Sequence, residues 1–117
     1  MRKYENKGDM KVNTIKYQMT VYPHCTLGSE NYAGTISVEM EPRDYIPDYI
    51  DEYEFIKTYN DVSISCEVLV NKYFNHLWDE YSPSYLKITL DAQTSGHFPV
   101  TIEKEEQSVE GYCESEE

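Results

Sequence analysis

SISCEVLVNKYFNHLWDEYSPSY, Ser63 to Tyr85, is the stretch on which the fold turns. Leu69, Tyr73, Leu77 and Tyr81 recur at steps of four, with Val70, Phe74 and Trp78 beside them. That spacing lines one side of a helix of about five turns with a broad apolar face. Ser63 or Ser65 can accept the first backbone N–H groups as an N-cap. Ser82-Pro83 stops the helix, since proline cannot continue it.

Upstream, EPRDYIPDYIDEYEFIKTYND, from Glu41 to Asp61, predicts a second helix. Pro47 suits a first helical turn, and Asp48, Asp51 and Glu52 favour its N-terminal end. Ile46, Ile50, Tyr53 and Ile56 are spaced to line one face, and Asn60 and Asp61 interrupt the pattern. Further out the period changes to two. TIKYQMTVY, from Thr14, places Ile15, Tyr17, Met19 and Val21 on one face, and GTISVEME, from Gly34, does the same with Ile36, Val38 and Met40. After the long helix come YLKITL, from Tyr85, a QTSG turn, and HFPVTIEK, from His97, where Pro99 suggests an edge or a bulge. The expectation is an α+β domain with the order ββααββ: a four-stranded antiparallel sheet with two helices on one face. It spans residues 14–104. Residues 1–13 form a polar leading segment and 105–117 an acidic, disordered tail.

The chain has 117 residues and a net charge of −12. That charge argues against unaided binding to nucleic acid or to an anionic membrane. Three cysteines, Cys25, Cys66 and Cys113, make an odd count with no CxxC pair. With no apolar leader segment, this predicts reduced thiols and a cytoplasmic protein. No run approaches the ~20 apolar residues of a membrane helix.

The residues that could carry chemistry begin in the loop YPHCTLGSENY, Tyr22 to Tyr32. Cys25 lies there in a polar setting beside His24. It could be a nucleophile, a metal ligand or a buried thiol, and a reactive thiol needs something to lower its pKa from ~8.5. The possible ligands His24, Cys25, Cys66, His76, His97 and Cys113 lack the short paired spacing of structural zinc sites, so no metal is expected. His76, within the long helix, reads as a surface or packing residue. Glu52 and Glu67 sit near the starts of the two helices. The helix dipole stabilises carboxylates there, and a scaffolded carboxylate can also hold a purine-like N–H edge. Phosphate-binding glycine loops, GxSxG and HExxH are absent from the sequence.

Taken together, these stretches resemble the tunnelling-fold family of 7-cyano-7-deazaguanine nitrile reductases and the related archaeosine-forming amidinotransferases. The likeness covers about Met19 to Glu103. CTLGSENYAGTISVEMEP, from Cys25, is similar to the family's stretch that starts at its catalytic cysteine. EYEFIKTY, from Glu52, resembles the reductase motif, with Glu52, Ile56, Lys57 and Tyr59 in agreement. CEVLVNKYFNHLWDEYSPSY, from Cys66, resembles the helix that opens with the family's His-Glu pair.

The resemblance implies a subunit of a homo-oligomeric ring that binds a small 7-deazapurine. It makes Cys25 the nucleophile that forms a covalent thioimide. Asn31 falls at the family's catalytic aspartate, Glu52 and Glu67 at the substrate glutamates, and Cys66 at the histidine beside the bound base. An amide at position 31 cannot take up or release a proton. The leading implication is NADPH-dependent reduction to 7-aminomethyl-7-deazaguanine; the alternative is an amidinotransferase that uses ammonia and no cofactor. The short link between the helices and the chain length resemble the amidinotransferases. A third reading is a purine- or pterin-binding member without catalysis.

Overall fold

The computed structural model describes residues 2–24, 31–94 and 98–108. Cys25, His97, Cys113 and the tail beyond Ser108 lie outside them. The alternating segments form the main sheet. Strands β2 (Ile15–Val21), β3 (Tyr32–Glu41), β5 (Tyr85–Thr94) and β6 (Val100–Gln107) lie side by side in that order, all antiparallel. Helices α1 (Tyr49–Lys57) and α2 (Cys66–Tyr81) cover one face. The sheet is one of two. A small strand β1 (Lys3–Glu5) pairs with β4 (Tyr45–Pro47), so the expected four strands become six.

The core sits between the main sheet and α2. Ile36, Val38 and Met40 on β3 and Leu86, Ile88 and Leu90 on β5 meet Leu69, Tyr73, Leu77 and Tyr81, and all of them are buried. The face expected for the long helix is therefore the face that is buried. Burying each such side chain is worth ~1.5–3 kcal/mol. Gly34 lets β3 pass close under this layer: a Cβ there would meet Leu90 Cδ1 at 2.7 Å. Ser65, rather than Ser63, caps α2 by accepting from Val68 N. Ser82 ends it in the left-handed conformation at φ 44°.

The first helix differs from its expectation. Pro47 ends β4, and Asp48 is the N-cap, accepting from Ile50 N and Asp51 N. Ile50 is 67% exposed and Tyr53 is also exposed, while Glu52 and Ile56 are fully buried. The apolar spacing pointed about one residue round the helix from the true inner face, because a carboxylate occupies that face. At the other end of the chain, Pro99 precedes β6 instead of interrupting it, and β6 continues to Gln107.

The leading segment docks on the start of α1. Arg2 donates to both Asp51 carboxylate oxygens, at 3.2 and 2.9 Å, and Tyr4 donates to Asp48 at 2.7 Å. Buried Asn6 bonds Val12 and Arg43. The Arg2 hydrogen bonds draw the Asp51 carboxyl down to about 2. A depressed carboxylate contributes above its unfolded value and loses that contribution as pH falls through its folded value. The docking should therefore weaken as pH approaches about 2. Arg2→Ala should move the Asp51 midpoint up toward 3.8 in a carboxyl ¹³C NMR titration. An unchanged midpoint would mean that Arg2 does not hold Asp51 in solution.

Candidate functional site

The two helices bring a constellation together inside the molecule. Glu52 lies on the inner face of α1 with no solvent exposure. Tyr73, His76 and Tyr81 fall at i, i+3 and i+8 on α2, so they share one face. All three reach the Glu52 carboxylate. Tyr73 donates to Oε1 at 3.0 Å and Tyr81 to Oε2 at 2.5 Å. His76 Nε2 lies 3.2 Å from Oε1 and 3.4 Å from Oε2. The Tyr73 proton is committed to Glu52, so the Tyr17 hydroxyl, 2.9 Å away, donates in turn to Tyr73. Phe55 stacks on the His76 ring at 3.9 Å between centroids, with planes 8° apart.

The electrostatics are consistent with donors surrounding an acceptor. Burial pushes the Tyr73 and Tyr17 hydroxyls up, and burial together with the Glu52 hydrogen bond does the same for Tyr81. All three stay protonated and can donate. Moving a carboxylate out of water costs several kcal/mol unless it is so satisfied.

A second group of polar residues collects at one end of the sheet. His24 forms isolated bridges with Asn31 and with Ser63. Its backbone N–H donates to Val62 O, and its carbonyl accepts from Ile64 N. Ser65 follows as the cap, then half-buried Cys66 and exposed Glu67 in the first turn of α2. The His24–Asn31 pair and the first turn of α2, with Cys66 and Glu67, are thereby joined through Ser63. Cys25 itself lies outside the described residues.

Glu52 is not part of this gathering. Its partner His76 is nine residues beyond Glu67, or about 14 Å along the helix axis at 1.5 Å per residue. Both Glu52 oxygens are already taken up, so within one subunit Glu52 and Glu67 do not form a common cradle. Sequence reasoning missed Tyr73, His76 and Tyr81 as partners. The available signal was their shared helical face opposite a glutamate flanked by apolar residues.

The open face of the sheet is polar. A shallow depression of about 390 Å³ there is lined by residues that include Lys16, Gln18, Ser37, Glu39, Lys87 and Thr89. Another, of about 550 Å³, lies beside Tyr53 and Tyr22 at the β2 edge. Neither is lined by Asn31, Glu52, Cys66 or Glu67. Among the described residues no three His, Cys, Asp or Glu side chains converge as a metal site. No helix among them is long and apolar enough to cross a membrane.

No family model matches the chain, and no curated protein matches it. Among solved structures it is similar to the archaeosine synthase QueF-Like in its apo form. The TM-score is 0.77 at 18% identity, over 85% of this chain and 98% of that one. At that identity the likeness establishes the fold, in agreement with the expected tunnelling architecture.

The buried node gives a direct test. Glu52→Ala leaves three donors facing an unfilled space and should destabilise the protein by about 3–5 kcal/mol in urea unfolding. A loss below about 1 kcal/mol would show that the helices do not depend on this carboxylate.

Proposed function

We propose that this protein processes the nitrile of a 7-cyano-7-deazaguanine-type base, with Cys25 as the nucleophile that forms a thioimide. The observation that carries the reading is the fold likeness to an archaeosine synthase over 98% of that chain. The likeness coincides with Cys25, Asn31, Cys66 and Glu67 standing in the family's register. His24, which precedes Cys25, bridges Asn31 and Ser63, and Cys66 and Glu67 open α2 three and four residues beyond Ser63. In this reading exposed Glu67 receives an N–H edge of the base, and Cys66 flanks it. Glu52 acts by fixing the helix that carries the site and not by touching substrate.

The same likeness favours the ammonia-consuming, amidine-forming branch. Reduction is the second reading, and it rests on the partial motif Glu52, Ile56, Lys57, Tyr59. NADPH does not fit the residues present well. Lys57, the cation kept from that motif, faces Glu54 at 3.8 Å and lies over the Tyr53 ring. A carboxylate beside the cation opposes a phosphate-bearing cofactor. A binding-only protein remains the third reading, and the adduct experiment below separates it from the other two.

Assembly into a cytoplasmic homo-oligomer belongs to the same proposal. β2 and β6 are the two edges of the main sheet. Across the open face Lys16, Glu39, Lys87 and Glu105 stand in register, with alternating charge. A neighbouring copy that placed its Lys16 beside Glu105 would continue the alternation and cover both edges.

Two outcomes test these readings. Intact mass after mixing with 7-cyano-7-deazaguanine and no cofactor should show an adduct of the whole base, absent in Cys25→Ala. Turnover of that adduct should then follow added ammonia. Turnover only with NADPH would select reduction, and no adduct would leave a binding protein. Sedimentation at micromolar concentration should give a species larger than a monomer. Lys16→Glu should weaken that assembly by placing like charges side by side, and a wild-type monomer would count against a shared site.

A further inference from the structure

The two edges of the main sheet differ in charge and in what they leave exposed. β2 carries Lys16 and no acid, whereas β6 carries Glu103, Glu105 and Glu106 against Lys104 alone. On the helix-covered side of β6, Val100 and Ile102 form an apolar strip, and Phe98 stands two residues ahead of it. Phe98 is 77% exposed, more than any other large apolar side chain among the described residues, and Val100 is exposed as well. On the opposite edge, half-buried Met19 and exposed Tyr22 and Tyr53 border the depression of about 550 Å³ beside β2.

These two edges match each other. Direction alternates from β2 through β3 and β5 to β6, so the β2 of a neighbouring copy would continue the antiparallel order beyond β6. With the neighbour's Lys16 opposite Glu105, counting along the two strands puts Met19 opposite Ile102, Val21 opposite Val100 and Pro23 opposite Phe98. Met19, Val21 and Ile102 all pack on the core side of the sheet. The two apolar strips therefore fall on the same side of the joined sheets. Pairing like edges gives no such match. β6 against β6 would set glutamates against one another, and β2 against β2 would leave Phe98 uncovered.

We propose that the depression bordered by Met19, Tyr22 and Tyr53 is the socket for Phe98 of a second copy of this chain. Copies then join head to tail, β6 of one on β2 of the next. This rests on the assembly reading above and gives it a direction and an anchor. Every copy uses both of its edges, and a contact of that kind forms a ring when its rotation closes. Backbone pairing along the edges does not depend on the side chains. The aromatic seat fixes the register, because a slip of one residue turns every side chain to the opposite face. Buried aromatic anchors carry a large share of the energy of an interface.

Sedimentation velocity and native mass spectrometry at micromolar concentration test this, with thermal melting as the folding control. Wild type should run as an assembly. Phe98→Glu and Tyr53→Glu alter exposed side chains, so each should melt like wild type. Each should nevertheless run as a monomer, with association weakened by about 30-fold or more. Val100→Glu, on the same strip, should act as Phe98→Glu does. An equimolar mixture of Phe98→Glu and Tyr53→Glu should give a 1:1 dimer and nothing larger, because the first keeps an intact socket and the second an intact anchor. An assembly that survives Phe98→Glu would overturn the socket and leave the assembly reading standing. A mixture that stays monomeric would overturn the head-to-tail direction. A monomeric wild type would overturn this inference together with the assembly reading, and would leave the nitrile reading to the adduct experiment.

Discussion

A carboxyl group with no access to water organises this molecule. The Glu52 carboxylate is offered by α1 and is satisfied entirely by α2, through two hydroxyls and an imidazole. Tyr17 extends the chain of donors back to strand β2. Hydrogen bonds aligned in series in a low-dielectric interior strengthen one another, and a member left unsatisfied there is costly. The node therefore admits few alternative placements of α1. That helix needs such a constraint. Its exposed face carries Ile50 and Tyr53, and apart from Ile56 and half-buried Phe55 it has little else to bury. Phe55 contributes by stacking on the imidazole that completes the node.

With both helices placed, the polar residues divide into two regions. In the interior one both Glu52 oxygens accept hydrogen bonds from α2. The other lies where β2 ends, β3 begins and α2 starts. There the first turn of α2 leaves backbone N–H groups and an exposed carboxylate near a pair of polar side chains. The leading segment adds a brace at the start of α1, where Arg2 and Tyr4 tie to Asp51 and Asp48. The closed node ties α1 to α2, whose first turn lies at that open end.

Much of this was legible in the chain. The α2 face of Leu69, Tyr73, Leu77 and Tyr81 and the alternation along β2, β3 and β5 are local patterns. They appear in the fold as read, because 3.6- and 2-residue periods translate directly into faces. The α1 face was not legible. Apolar spacing favoured Ile50 and Tyr53, and nothing local reveals that a glutamate displaces them. The pairing of Lys3–Glu5 with Tyr45–Pro47 was equally hidden, since three-residue strands carry no period to read. In the site, the register of Cys66 and Glu67 was visible, and the partnership of His24 with Asn31 was not. Neighbours in sequence gave no reason to link a ring to an amide seven residues on.

The sequence by itself determined the elements, their order and the apolar layer that the long helix buries, because each of these depends on residues within a turn or two of one another. Only the tertiary structure decided the environments of the polar groups. The donors to Glu52 stand 21, 24 and 29 residues away, and the partner of the His24 ring lies 7 residues on. Whether a carboxylate is a solvated helix-start residue or a buried anchor depends on what surrounds it in space. The same two-acid pattern thus produced one exposed glutamate and one sealed in the core.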